Sequence, residues 1–145
     1  MIINLSSETN LSGFYIVYNG STNLEKKGWR GISHLLEHLV FKSVDHLLTD
    51  FDRDGLEYNA YTSSNNIVFY LTGLDRCVNK WKDTFLNLLL EFKITEEDFI
   101  KERLIVIEEL SDCFNEQSQT HAMNLSRKLL NDFEPIGSRQ DLEAL

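Results

Sequence analysis

With 145 residues, 42% of them hydrophobic and 26% charged, the chain has the size and make-up of one globular domain and not of a disordered segment. Its formal charge of −9 argues against a nucleic-acid binder, which needs clustered Lys and Arg; the same charge serves solubility and would also suit cationic peptides. The longest apolar run, Phe85 to Phe92, falls far short of the roughly 20 residues that cross a bilayer, so a soluble protein with no membrane partner is expected.

The opening MIINLSSETN has neither a basic stretch nor a small-residue cleavage site, so no signal peptide is expected. Cys77 and Cys113 form no Cys-x-x-Cys pair and are expected as buried free thiols. Both points lead to the expectation of a reducing, cytoplasmic setting. One proline and seven glycines, with no repeat or low-complexity tract, mark no linker, so a single domain over residues 1–145 is expected.

In chain order, Phe14 to Tyr18 alternates and is rich in β-branched and aromatic residues, which predicts a strand, with Ile2 to Leu5 as a short partner. NGSTNLEKKG breaks the pattern with turn residues. Ile32, Leu35, Leu36, Leu39 and Val40 fall at helical spacing and predict a helix from Ile32 to about Lys42. A short helix around Asp45 to Phe51 ends at the Asp54-Gly55 turn. Leu56 to Thr62 and Ile67 to Leu74 read as a hairpin joined by polar residues. Asp75 to about Phe92 is amphipathic, with Val78, Trp81, Phe85, Leu88 and Leu89 on one side. Thr95 caps a further helix running to about Phe114 through Phe99, Ile100, Leu104 and Ile107. His121 to Phe133 is a last helix. A hairpin sheet with helices in blocks predicts an α+β fold, an antiparallel sheet packed against helices. Trp29 and Trp81 are expected to pack inside, and His46 and His121 to lie at the surface or at helix ends.

The chemistry lies in GISHLLEHLVF, Gly31 to Phe41. His34 and His38, four apart on a helix, stand one turn above the other and can direct two imidazole nitrogens at one Zn²⁺ at about 2.0–2.1 Å. Glu37 flanks that face, near enough to reach a metal-bound water. The pattern is the inverted zinc motif His-x-x-Glu-His. Chance would write it in roughly one such chain in a hundred, and a hydrolytic site needs a third protein ligand. KERLIVIEEL offers Glu102, Glu108 and Glu109. Glu102 and Glu109, seven apart, face one way, and Ile105 and Val106 precede Glu109 by one turn; Glu108 lies about 100° off. By itself the segment also reads as a solvated acidic helix end.

GISHLLEHLVFK, GLEYNAYTSSNNIVFYL, EEDFIKERLIVIEEL and PIGSRQDLEAL, in that order, resemble the pitrilysin/insulinase zinc peptidases, with GFYIVYNGS matching the strand before them. The resemblance covers most of the chain from about Gly28 onward. It implies a Zn²⁺ cofactor held by His34, His38 and Glu109, with Glu37 as general base and Glu102 as a supporting acid. It also implies that Asn59, Ala60, Tyr61 and Thr62 lie on an edge strand to which a peptide substrate adds. The implied activity is zinc-dependent endopeptidase. A non-catalytic binding or assembly subunit on the same fold is the alternative, and a structural zinc protein a weaker one, since two His, one Glu and an adjacent base form the catalytic layout.

The chain departs from the family pattern in three places. Only 70 residues separate His38 from Glu109, which fits a trimmed SVDHLLTDFDRDG; DFEPIG replaces the usual His-Pro-Tyr; and the sequence stops at Leu145, where a family domain runs on. A second copy or another chain is therefore expected to complete the site.

Overall fold

The computed structural model describes residues 1–6, 10–115 and 137–145, with the side chains of residues 4, 6 and 111–115 excepted. Alternation of apolar and polar residues builds four antiparallel strands: β1 Ile2–Ser6, β2 Leu11–Asn19, β3 Glu57–Thr62 and β4 Asn66–Leu74. They lie in the order β1-β2-β4-β3, so β3 is an edge. Phe14 pairs with Leu71 and Ile16 with Phe69, and these rows share the face covered by helices. Tyr15 and Tyr70 stack on the other face, their ring centroids 5.7 Å apart.

Among the described residues there are five α-helices: α1 Ile32–Lys42, α2 Leu48–Arg53, α3 Asp75–Leu90 and α4 Glu96–Asn115, which answer to predicted helices, and α5 Arg139–Glu143, which was not expected. The predicted second helix is split, with a 3-10 turn at Asp45–Leu47 ahead of α2. Thr95 caps α4 as expected, its Oγ1 accepting from the Asp98 N–H at 3.0 Å. Helix α1 lies between two cores. Val40, with Val44 just past its end, joins Phe51, Phe69, Phe85 and Leu89 over the sheet. Leu35 and Leu39 pack on the other side against Val106, Ile107 and Leu110 of α4 and Leu142 of α5. A helix gripped on two sides has little freedom to rotate, and that fixes where its polar face points.

Two apolar expectations are corrected. Trp29 is 54% exposed, on the loop that leads into α1, whereas Trp81 packs edge-on against Phe51. Ile100 and Leu104 are also exposed; α4 presents the expected Ile107 to α1, joined by Val106 and Leu110. His46 is exposed and Cys77 is a buried free thiol, as expected. The expected helix from His121 to Phe133 and the Cys113 side chain lie outside the described residues. Among the described residues no helix is long and apolar enough to cross a membrane.

Candidate metal centre

The N-terminus of α1 is built with unusual care for so short a helix. Gly31 precedes it at φ 98°, a left-handed conformation in which L side chains are strained, and a Cβ there would stand 3.2 Å from the Gly137 Cα. The Glu25 carboxylate accepts from the Gly31 N–H at 2.8 Å and the Ser33 N–H at 2.7 Å. An anion on those unpaired donors also complements the helix dipole. Asp141 Oδ2 takes the Gly28 and Arg30 N–H groups at 3.0 and 3.1 Å, tying the incoming loop to α5.

One turn further in, the His34 and His38 rings sit 4.9 Å apart, centroid to centroid. Helix α4 runs antiparallel to α1, so Glu109 faces the histidine pair and Glu102 faces His38 and Lys42. Glu109 Oε2 is 3.4 Å from His34 Nε2 and 3.6 Å from His38 Nε2. One ligand atom from each of His34, His38 and Glu109 falls within 4.8 Å of the others, the one such cluster among the described residues. Two donors each about 2.0–2.1 Å from a tetrahedral ion stand about 3.4 Å apart, so two nitrogens and a carboxylate oxygen in this arrangement fit zinc. Burial, and then the neighbouring His38 ring, push the His34 imidazole below its ordinary pKa against the pull of nearby carboxylates. That favours the neutral ring a metal needs.

Glu102 does not join the triplet. Its Oε2 lies 3.3 Å from His38 Nδ1 and its Oε1 3.8 Å from Lys42 Nζ, while Lys42 also pairs with Asp45 at 2.6 Å. A carboxylate on Nδ1 fixes the tautomer that leaves Nε2 free to bind metal. It is also the more buried acid, with 10% of its side chain exposed against 48% for Glu109. Glu108 is exposed, as expected.

Glu37, also buried, points to the sheet side of α1 and accepts a hydrogen bond from Thr62 Oγ1 at 2.6 Å. An open cleft of about 260 Å³ adjoins it, lined among others by His38 and Phe41 of α1, Asn59 and Ala60 of β3, and Glu102. The four residues expected on the edge strand divide by the pleat. Ala60 and Thr62 point inward, whereas Asn59 and Tyr61 are exposed. Asn59 Oδ1 accepts the Ala60 N–H at 2.8 Å. Sequence reasoning missed the cap formed by Glu25, whose only signal is an acid six residues before a glycine-led helix. It also missed that Thr62 faces Glu37.

Two imidazoles, a carboxylate, a further buried carboxylate beside them and an adjoining cleft form the layout of hydrolytic zinc centres. The profile of the insulinase family (peptidase family M16) matches residues 6–138, and the chain belongs to that family. The family's metal is zinc. The chain is 30% identical over 141 residues to the probable mitochondrial-processing peptidase subunit beta of Arabidopsis thaliana, covering 92% of this chain and 26% of that one. It is 34% identical over 85 residues to the uncharacterized zinc protease YmxG of Bacillus subtilis, covering 55% and 21%. The fold matches the crystal structure of a protease from Helicobacter pylori with a TM-score of 0.81 at 21% identity, covering 100% of this chain and 40% of that one. The chain thus spans about a quarter of the length of these curated relatives.

Proposed function

We propose that the chain is the metal-binding, catalytic module of a zinc endopeptidase that cleaves extended peptides. The observation that carries this reading is the convergence of His34, His38 and Glu109, with Glu37 beside them but outside the cluster. His34, His38 and Glu109 would hold the ion. Bound zinc supplies Lewis-acid polarisation of a carbonyl and an acidified water. As general base Glu37 would take a proton from the attacking water at its carboxylate and give it to the leaving amine. Glu102 holds the His38 ring through Nδ1.

Peptide backbone adds to the free edge of β3, a mode that places little demand on side chains. There the Ala60 N–H, now bonded to the Asn59 side chain, is the donor a peptide carbonyl would take over. Substrate positioning and water exclusion come from a second surface, supplied by another copy or another chain. The half-exposed Glu109 supports that requirement.

Replacing Glu37 by Gln tests the assignment. It should keep one zinc per chain yet lower hydrolysis of an unstructured reporter peptide by about 10²–10⁴-fold. Loss of zinc in that variant would contradict its role as base. Turnover is expected to rise with protein concentration in step with association seen by sedimentation; fast cleavage by a proven monomer would remove the need for a second surface. A non-catalytic assembly subunit is the rival reading, favoured by the open cleft. Stoichiometric zinc without hydrolysis at any concentration would select it.

A further inference from the structure

We infer that Thr62 is a positioning residue for Glu37, coupling the edge strand β3 to the group that takes the proton. This rests on the peptidase reading and goes one step past it. The inward direction of Thr62 follows from the pleat, since β3 alternates exposed and half-buried residues from Glu57 to Thr62. Its hydroxyl donates to Glu37 Oε2 at 2.6 Å, within the short range of hydrogen bonds to ionised carboxylates. Among the described residues this is the one hydrogen bond to the Glu37 side chain. A buried carboxylate with one donor takes its position from that donor.

Thr62 is itself firmly seated. It pairs with Ile67 at the end of the β3–β4 ladder. The turn beyond is closed by the Ser63 N–H on the Asn66 carbonyl at 2.8 Å. It is also tied to the loop before α1, where the Asn23 N–H meets the Ser64 carbonyl at 3.0 Å and the Gly20 N–H meets the Asn65 carbonyl at 2.8 Å. A β-branched side chain has few χ1 choices, so a fixed backbone fixes the hydroxyl. Holding Oε2 leaves Oε1 for the proton. Because β3 is also the edge to which a peptide would add, the strand that positions the substrate also positions the base.

The test compares the full chain with its Thr62→Val, Thr62→Ser and Glu37→Gln forms, read by zinc content and by reporter-peptide turnover. Thr62→Val should keep one zinc per chain and KM within about twofold, while kcat falls about 10²-fold, the cost of a misplaced group. Thr62→Ser should recover most of that loss. In the Glu37→Gln background Thr62→Val should cost nothing more. Parental kcat in Thr62→Val, loss of its zinc, a serine no better than valine, or an equal loss in the Glu37→Gln background would each overturn the inference.

Failure of the peptidase reading looks different: the parent would not hydrolyse, or Glu37→Gln would hydrolyse like it. The contact is then judged without turnover, by thermal unfolding of the metal-free chain with Thr62→Val and Glu37→Ala, singly and together. A non-additive midpoint shift of several degrees supports the coupling, and additive shifts overturn it.

Discussion

Glu102 and Glu109 address the two nitrogens of a single imidazole: Glu102 lies 3.3 Å from Nδ1 of His38 and Glu109 lies 3.6 Å from its Nε2. They are seven positions apart on α4, about 10 Å along the axis, so on the proposed reading one helix would supply both a donor for the metal and the brace for another ligand. Glu109→Gln should therefore lose stoichiometric zinc. Glu102→Gln should keep one zinc per chain with affinity about 10- to 100-fold weaker. Titration against a competing chelator reads both, and the reverse pattern would exchange the two assignments.

Metal should stabilise the fold through the same cluster. With free zinc a hundredfold above Kd, binding to the native state alone contributes about 2.7 kcal/mol, a midpoint rise on the order of 5–10 °C. Chelation should reverse it, and His34→Ala or His38→Ala should show no rise. A calorimetric scan with and without zinc is sufficient; an undiminished rise in either variant would place the ion elsewhere.

The metal-stripped chain should weaken in mild acid. Burial first, and His38 next, lower the His34 pKa in the folded state. Between that lowered value and the ordinary one near ~6.5, the unfolded chain binds a proton the folded chain refuses. The contribution of His34 is thus whole above about pH 6.5 and is lost as pH falls through the folded value. Unfolding midpoints of the stripped parent should drop between about pH 7.5 and 5.5, and those of His34→Gln should drop less steeply. Parallel curves would contradict the assignment.

Leu35→Ala probes the seat of α1. The side chain is fully buried in the cluster it shares with Val106, Ile107 and Leu110 of α4, and its removal should cost about 2–5 kcal/mol in a denaturant titration. Zinc affinity should fall with it, because the cavity loosens α1 against the helix bearing Glu109. Leu36→Ala, at a position 40% exposed, should cost less than about 1 kcal/mol and leave zinc binding alone.

Much of this was legible in the residues because periodicity reports faces. The four-residue spacing of His34 and His38 gave one helix face, the hairpin pattern gave β3 and β4, and Thr95 announced α4. Choosing Glu109 over Glu102 required the family resemblance. Their shared face is visible in the sequence, but the antiparallel run of α4 past α1, which decides which acid meets which nitrogen, is not. Contacts between distant segments left no local signal either, hence the missed Glu25 cap and Thr62–Glu37 bond. Trp29 misled for the opposite reason: its apolar area suggested packing, yet α5 holds its loop through backbone hydrogen bonds and the ring stays 54% exposed.

The clasp between Asp141 and the loop before α1 also sets an order of events during synthesis. Its hydrogen bonds to the Gly28 and Arg30 N–H groups close over 113 and 111 residues. At about 5–20 residues per second, a ribosome releases the histidine helix many seconds before the segment that secures its entrance. Glu109 also trails His38, with 70 residues between them. A nascent chain thus displays the two histidines before Glu109 and the Asp141 clasp exist, so on the proposed reading zinc loading would wait until Asp141 has been made.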